Sequence, residues 1–287
     1  MKKERQGEYL ALGLAMIESC FPILSIVSMS YIGAINTYAY SLVVALFFLT
    51  LLMLKRKKFN ELKNTKEYKS LVLTTFWITS LFLLVFIGMR YTTAGNMAVI
   101  IFLQLLFSYL YFNVFGKEKM QSIHLLGAIF MGIGALTILV PDELTFNKGD
   151  LLILLGAMIS PIANYYQKQA RTHYSTETIL SFRTVVALPF VFILAFIFEP
   201  TITYENFLKA LPYILTIGVL VYVISKIMWI EALYRISITK LSAMIALIPV
   251  MTLILAYFYL NEIPSVRQIL GVLPVLLGGY LITREVK

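Results

Sequence analysis

One acidic residue lies deep inside the first long apolar stretch, and it is the leading candidate for chemistry. Glu18 comes ten residues after Glu8, and ten residues of helix rise about 15 Å, roughly half the hydrocarbon thickness of a bilayer. A carboxylate at that depth is costly if it faces lipid, so it is expected to face a cavity or a polar partner. We predict that Glu18 binds a substrate or a proton. The alternative is a structural carboxylate held by a neighbouring hydroxyl or amide.

Pro22 follows Glu18 by four residues and extends the same candidate site. A proline has no N–H, so the carbonyl of Glu18 loses its helical partner, and the carboxylate and this carbonyl oxygen would meet at one notch. Pro161 interrupts a second apolar segment near the equivalent depth. Interrupted helices in two corresponding halves indicate a transporter site, although prolines are also common in membrane helices generally.

Two basic residues, Arg183 and Lys226, lie inside apolar stretches about 8 Å from the nearer end. A long side chain at that depth either reaches the membrane surface as an anchor or lines a cavity, and the sequence leaves both roles open. It also allows Lys226 to pair with either Glu18 or Glu231. The other candidates for lining a substrate cavity are polar or aromatic side chains within the apolar segments, namely Trp77, Asn96, Gln104, Asn164 and Tyr222.

Motifs for catalysis are absent from the sequence. There is no phosphate-binding loop, no H-E-x-x-H and no G-x-S-x-G. Two histidines and the single cysteine, Cys20, leave little for metal or nucleophilic chemistry. We therefore expect no enzyme, no cofactor and no metal site.

The composition is typical of a membrane protein. Apolar residues make up 60% of the chain and charged residues only 14%, whereas soluble domains are about half apolar and a quarter charged. A net charge of +9 can indicate a nucleic-acid partner. Here the basic residues lie in short segments between apolar stretches, so we expect a lipid bilayer around the chain and no nucleic acid.

A transmembrane helix needs about 20 apolar residues, and this length predicts ten spans. Their approximate bounds are 9–29, 34–54, 71–89, 94–115, 123–140, 151–167, 178–198, 207–230, 241–260 and 266–283. If the N-terminus is cytoplasmic, the inner segments hold 18 Lys and Arg and the outer segments hold 4. Basic residues are enriched on the cytoplasmic side, so both termini are predicted to be cytoplasmic.

The chain contains a weak internal repeat. Glu118, Gly127 and Gly134 match Glu262, Gly271 and Gly278 at one offset, and residues 43–48 match residues 185–190 at nearly the same offset. Each half then holds five spans, and an odd number makes the second half enter from the other side. We predict an all-α membrane protein with ten transmembrane helices in two inverted five-helix repeats, 1–141 and 142–287. Inverted repeats are typical of secondary transporters.

Segments 91–139 and 235–283 both resemble the end of an EamA domain. In each, a helix ends in an acidic residue, and a hydrophilic link and a glycine-spaced helix follow. Two further matches are Pro249-Val250 and Ser181-Phe182-Arg183; the first half departs from the pattern with Leu105 in place of the proline and Ser41 in place of the arginine. The ten-span plan is similar to the drug/metabolite transporter superfamily. This resemblance implies a carrier for metabolites, amino acids or drugs, often an exporter, with a central cavity.

Together these features predict a secondary active transporter, an exporter of a small polar metabolite such as an amino acid or amine. It would work by alternating access, with a proton or another ion as a coupling partner, in a bacterial plasma membrane. A flippase for a lipid-linked substrate is the alternative, which would need a groove open to the bilayer.

Overall fold

The structure is a computed structural model that describes residues 2–65, 68–111, 122–139, 147–235, 244–245 and 247–283. Over these ranges the chain forms ten main helices and a short 3-10 helix, Phe59–Lys63, between the second and the third. The ten main helices are α1 Lys2–Ile32, α2 Ala34–Arg56, α3 Tyr68–Met89, α4 Ala94–Phe102 with Gln104–Tyr109, α5 Ser122–Leu139, α6 Lys148–Arg171, α7 Thr176–Phe198, α8 Tyr204–Thr216 with Ile217–Ser225 and Lys226–Arg235, α9 Leu247–Leu260 and α10 Val266–Thr283. Glu118, an anchor of the sequence repeat, lies outside the described residues.

Each predicted span overlaps one of these helices, so the predicted architecture of ten helices in two repeats is confirmed. Residues 112–115, 140, 241–243 and 246 of the predicted spans, and the predicted boundary between 141 and 142, lie outside the described residues. Five helices are long and apolar enough to cross a membrane: Arg5–Ile32, Ala34–Arg56, Tyr68–Met89, Thr176–Phe198 and Tyr204–Trp229. Four shorter apolar helices are Ala94–Tyr109, Ser122–Gly134, Leu247–Leu260 and Val266–Leu281. Large apolar side chains such as Phe196 and Phe258 are exposed on the outside of the bundle. Such a surface suits a protein that is surrounded by lipid.

The corresponding helices α2 and α7 of the two halves run antiparallel. Arg56 at the end of α2 forms an ion pair with Glu177 in the first turn of α7. At the other end, Glu199 directly after α7 accepts hydrogen bonds from the backbone N–H groups of Ile35 (2.9 Å) and Asn36 (2.7 Å) in the first turn of α2. The two repeats are therefore inverted.

The packing of the helices obeys the same two-fold relation. Helix α1 packs against α8 and α9, and its counterpart α6 packs against α3 and α4. Three further contacts, α2 with α7, α4 with α9 and α5 with α10, each join a helix to its own counterpart in the other repeat, so the two-fold relation maps each of them onto itself. Exchange of the two halves thus reproduces these main helix contacts, as expected for a duplicated unit.

Glycines of the sequence repeat lie where α5 and α10 touch. A Cβ on Gly134 would lie 2.6 Å from the carbonyl oxygen of Gly271, and one on Gly278 would lie 2.4 Å from that of Gly127. Only a residue without a side chain allows backbones to approach so closely. The matched glycines therefore pack the two repeats together.

Carboxylates from one repeat cap helix N-termini of the other. Besides Glu199, Glu262 after α9 accepts from the N–H of Ala94 at 3.1 Å, and Glu61 accepts from the N–H of Ser175 at 2.7 Å. Negative charge at a helix N-terminus satisfies free N–H groups and is favoured by the helix dipole. Gly33 makes room for one cap: its φ is +88°, and a Cβ there would lie 2.6 Å from the Glu199 carboxylate.

Candidate functional site

A cavity of about 200 Å³ lies between the two repeats. Helices α1, α3 and α4 of the first repeat and α6, α7, α8 and α9 of the second contribute to its walls. A cavity of this size suits a small solute and not a polymer. Six of the nine predicted site residues line it: Glu18, Pro22, Gln104, Asn164, Arg183 and Lys226.

The centre of the site is an ion pair between the repeats. The ammonium of Lys226 lies 2.6 Å from a carboxylate oxygen of Glu18, and the hydroxyl of Ser225 contacts the same oxygen. The Glu18 and Lys226 side chains are 18% and 23% exposed. The Lys226 ammonium also lies 5.9 Å from the centre of the Phe82 ring, a favourable distance for a cation–π interaction.

Local helix geometry on both sides places this pair. In α8, the segment Ile217–Ser225 is π-helical and ends directly before Lys226. Its hydrogen bonds run from residue i to residue i+5, and such wide turns are frequent at functional sites. In α1, Pro22 also lines the cavity and cannot donate to the carbonyl of Glu18. The pair thus lies where both helices depart from regular α-helical bonding.

Polar side chains of α4 and α6 form a second group in the cavity wall. The hydroxyl of Ser160 donates to the side-chain oxygen of Gln104 at 2.5 Å, and the amide of Asn164 donates to the Ser160 hydroxyl at 3.4 Å. Gln167 lines the cavity one turn further along. Sequence reasoning missed Ser160, although the spacing 160, 164 and 167 places three polar residues on one helix face.

Arg183 differs from Glu18 and Lys226, the other charged residues of the wall, because it is buried without a counter-charge. It is 5% exposed and lines the cavity from α7. Among the residues that the structure describes, none makes a hydrogen bond or an ion pair with its guanidinium. The phenols of Tyr38 and Tyr222 lie close enough to interact with it electrostatically.

The structure places three predicted site residues outside the cavity lining. The Asn96 amide donates to Asp150 at 3.1 Å and accepts from Gln268 at 2.7 Å, at the starts of α4, α6 and α10. Trp77 packs beside Phe76 and is partly buried against the core. Tyr222 is 1% exposed and its ring lies 5.9 Å from that of Tyr38 and 5.2 Å from that of Phe82.

The two ends of the cavity differ in chemistry. We name the end of the bundle where α2 ends and α7 begins the basic face, because Arg56, Lys58 and Arg171 lie there, and the other end the opposite face. The polar wall residues come from the halves of α4, α6 and α8 that lead to the basic face. Toward the opposite face the wall is apolar, with Phe21, Val85, Met97, Ala98 and Phe102.

Fold and cavity define a class: a multi-pass membrane protein built from an inverted repeat around a central site. The model of the EamA-like transporter family matches residues 5–140 and 147–284, so the chain belongs to this family. The chain is therefore a membrane transporter of the drug/metabolite type and not an enzyme.

Relatives of the chain are transporters without an assigned substrate. An uncharacterized transporter of Archaeoglobus fulgidus is 25% identical over 75% of each chain. In Bacillus subtilis, the uncharacterized transporters YoaV and YyaM are each 24% identical, over 68% of each chain for YoaV and over 84% of this chain and 81% of the relative for YyaM. A crystal structure matches with a TM-score of 0.70 at 13% identity, covering 97% of this chain and 96% of the other, which shows the fold.

Proposed function

We propose that the protein is a secondary active transporter that exports a small polar metabolite, such as an amino acid or amine, by alternating access to the central cavity. The ion pair of Glu18 and Lys226 in that cavity carries this proposal. A carboxylate that binds an internal cation can exchange it for a proton or for the ammonium group of a substrate. Competition of this kind couples substrate binding to proton movement.

The inverted repeat supports alternating access. Because α2 and α7 run antiparallel and the main helix contacts are reproduced on exchange of the halves, an opening toward one face would have a symmetry-related counterpart toward the other. The polar half of the wall leads to the basic face. In a bacterial plasma membrane, basic segments lie on the cytoplasmic side, so this arrangement supports loading from the cytoplasm and hence export.

Transport by proteoliposomes of the purified protein tests the proposal. Labelled amino acids and amines are screened for accumulation driven by a pH gradient, and the positive compounds are then measured with Glu18→Gln. This variant keeps the shape of the side chain but cannot exchange a proton. We expect it to lose gradient-driven accumulation while it remains folded.

An exposed carboxylate serves as the control. Glu205 on the opposite face is 77% exposed and pairs with Lys209 one turn away, so Glu205→Gln should transport like the wild type. Normal pH-dependent accumulation by Glu18→Gln would refute the role of Glu18. If no water-soluble compound is accumulated and labelled lipid crosses the bilayer instead, the flippase alternative replaces the proposal.

A further inference from the structure

The ionisable side chains of the cavity wall do not balance. Glu18, Arg183 and Lys226 line the cavity, and Glu18 and Lys226 neutralise one another at 2.6 Å. Arg183 adds a positive charge that no other described residue of the wall offsets. The wall therefore carries a net positive charge at Arg183. A cavity of this kind attracts a solute that can place an anionic group near Arg183.

Burial makes the Arg183 charge costly unless a partner neutralises it. A 5% exposed guanidinium without an ion pair or hydrogen bond among the described residues has lost its hydration without replacement. Beside it, the hydroxyl of Tyr222 is buried and has no hydrogen-bond partner in the described part of the chain. Both the Arg183 guanidinium and the Tyr222 hydroxyl thus lack hydrogen-bond partners among the described residues.

We infer that Arg183 anchors a carboxylate, or an equivalent single anionic group, of the transported substrate. This inference rests on the proposed function. The planar guanidinium presents paired N–H donors that match the two oxygens of a carboxylate. Binding would supply the counter-charge and the acceptors that the guanidinium lacks.

The rest of the wall selects an apolar body for this substrate. Ile78, Leu81, Phe82 and Ile101 provide carbon surface in the same cavity wall. A solute with a carboxylate and an apolar side chain fits this arrangement better than a sugar or a simple amine does. Of the two classes named above, the structure thus favours the amino acid over the amine.

Three probes of one shape test the inference: 3-phenylpropionate, phenylalanine and phenethylamine. The first two carry the carboxylate, and the third does not. Titration calorimetry with the purified protein in detergent should give dissociation constants for the two carboxylates that are roughly 10- to 100-fold lower than that for the amine. This range is what charge-assisted hydrogen bonds contribute to affinity.

Variants at Arg183 separate charge from geometry. Arg183→Gln should abolish the preference for carboxylates, and Arg183→Lys should retain part of it because the charge remains and the fork is lost. Arg171→Gln is the control: this arginine is exposed at the end of α6, outside the cavity wall, and its removal should leave all three constants unchanged.

Two outcomes overturn the inference. If the wild type binds phenethylamine as tightly as 3-phenylpropionate, or binds none of the three probes, Arg183 is not the anchor of such a substrate. That result leaves the proposed function standing if gradient-driven transport of another solute depends on Glu18. The wild-type comparison decides the matter even if Arg183→Gln does not fold.

Discussion

Removal of one partner of the central ion pair is expected to destabilise the protein more than removal of both. Glu18→Gln leaves the Lys226 ammonium, which is 23% exposed, without its counter-charge. Lys226→Met likewise leaves the Glu18 carboxylate, 18% exposed, with only the Ser225 hydroxyl. The double variant has no unpaired charge at this position.

The exposed fractions set the magnitude. Loss of one partner costs about 3–5 kcal/mol for a fully buried pair and about 0–1 kcal/mol for a surface pair. A pair at this intermediate depth should cost about 2–3 kcal/mol for each single variant, or a fall of roughly 4–12 °C in the unfolding midpoint. The double variant should lose about 1–2 kcal/mol less than either single variant, so the single losses should not add.

Thermal unfolding of the four proteins in one detergent measures this cycle. The control is a second pair with the same separation, Lys209 and Glu205, whose nitrogen and oxygen also lie 2.6 Å apart but whose side chains are 51% and 77% exposed. Glu205→Gln should leave the midpoint unchanged within error. The reasoning fails if Glu18→Gln and Lys226→Met are each as stable as the wild type, or if their losses simply add.

The two remaining predictions concern the faces of the bundle. Burial of Glu61 alone would raise its pKa, but hydrogen bonds from Lys58, from the N–H of Ser175 and from the hydroxyl of Thr178 together lower this pKa from 4.5 to about 2. Because the pKa is lower in the folded state, the cap stabilises fully above pH 4.5, and this contribution is lost as the pH falls toward 2. The melting point of Glu61→Gln should therefore lie below that of the wild type at pH 7, and the difference should shrink across this range; a constant difference would exclude the cap as its cause. The distribution of basic residues predicts that both termini are cytoplasmic, so tags at either end should be cleaved by protease only in inverted vesicles, and cleavage in intact cells would contradict this orientation.

The sequence predicted the fold well because two physical constraints are local. Apolar length defines a span, and an odd number of spans per repeat inverts the second copy. The positions of Glu18 and Lys226 deep within their spans also predicted that each charge needs a polar partner or a cavity, because a charge inside a span is costly in lipid. Their pairing required the structure, because 207 residues separate Ser225 from Glu18 and 208 separate Lys226 from it.

The candidates outside the cavity wall show what local reasoning lacks. Asn96 lies in an apolar run, but only the fold reveals that Asp150 and Gln268 meet it at the start of α4. Tyr222 lies in the π-helical segment. A helical wheel assumes 3.6 residues per turn, so it predicts the wrong face for residues in this wider segment. The roles of Trp77, Asn96 and Tyr222 in substrate binding stay predictions without support from the cavity geometry.

The reciprocal caps have a consequence for biogenesis. While the ribosome is still making the first half, α2 and α4 are complete, yet Glu199 and Glu262 lie 164 and 168 positions beyond the N–H groups they will accept from. Unsatisfied N–H groups are tolerated at a wet membrane surface and not in lipid. We therefore expect the helix ends that these carboxylates cap to stay hydrated near the headgroups until the second, two-fold-related half has been inserted.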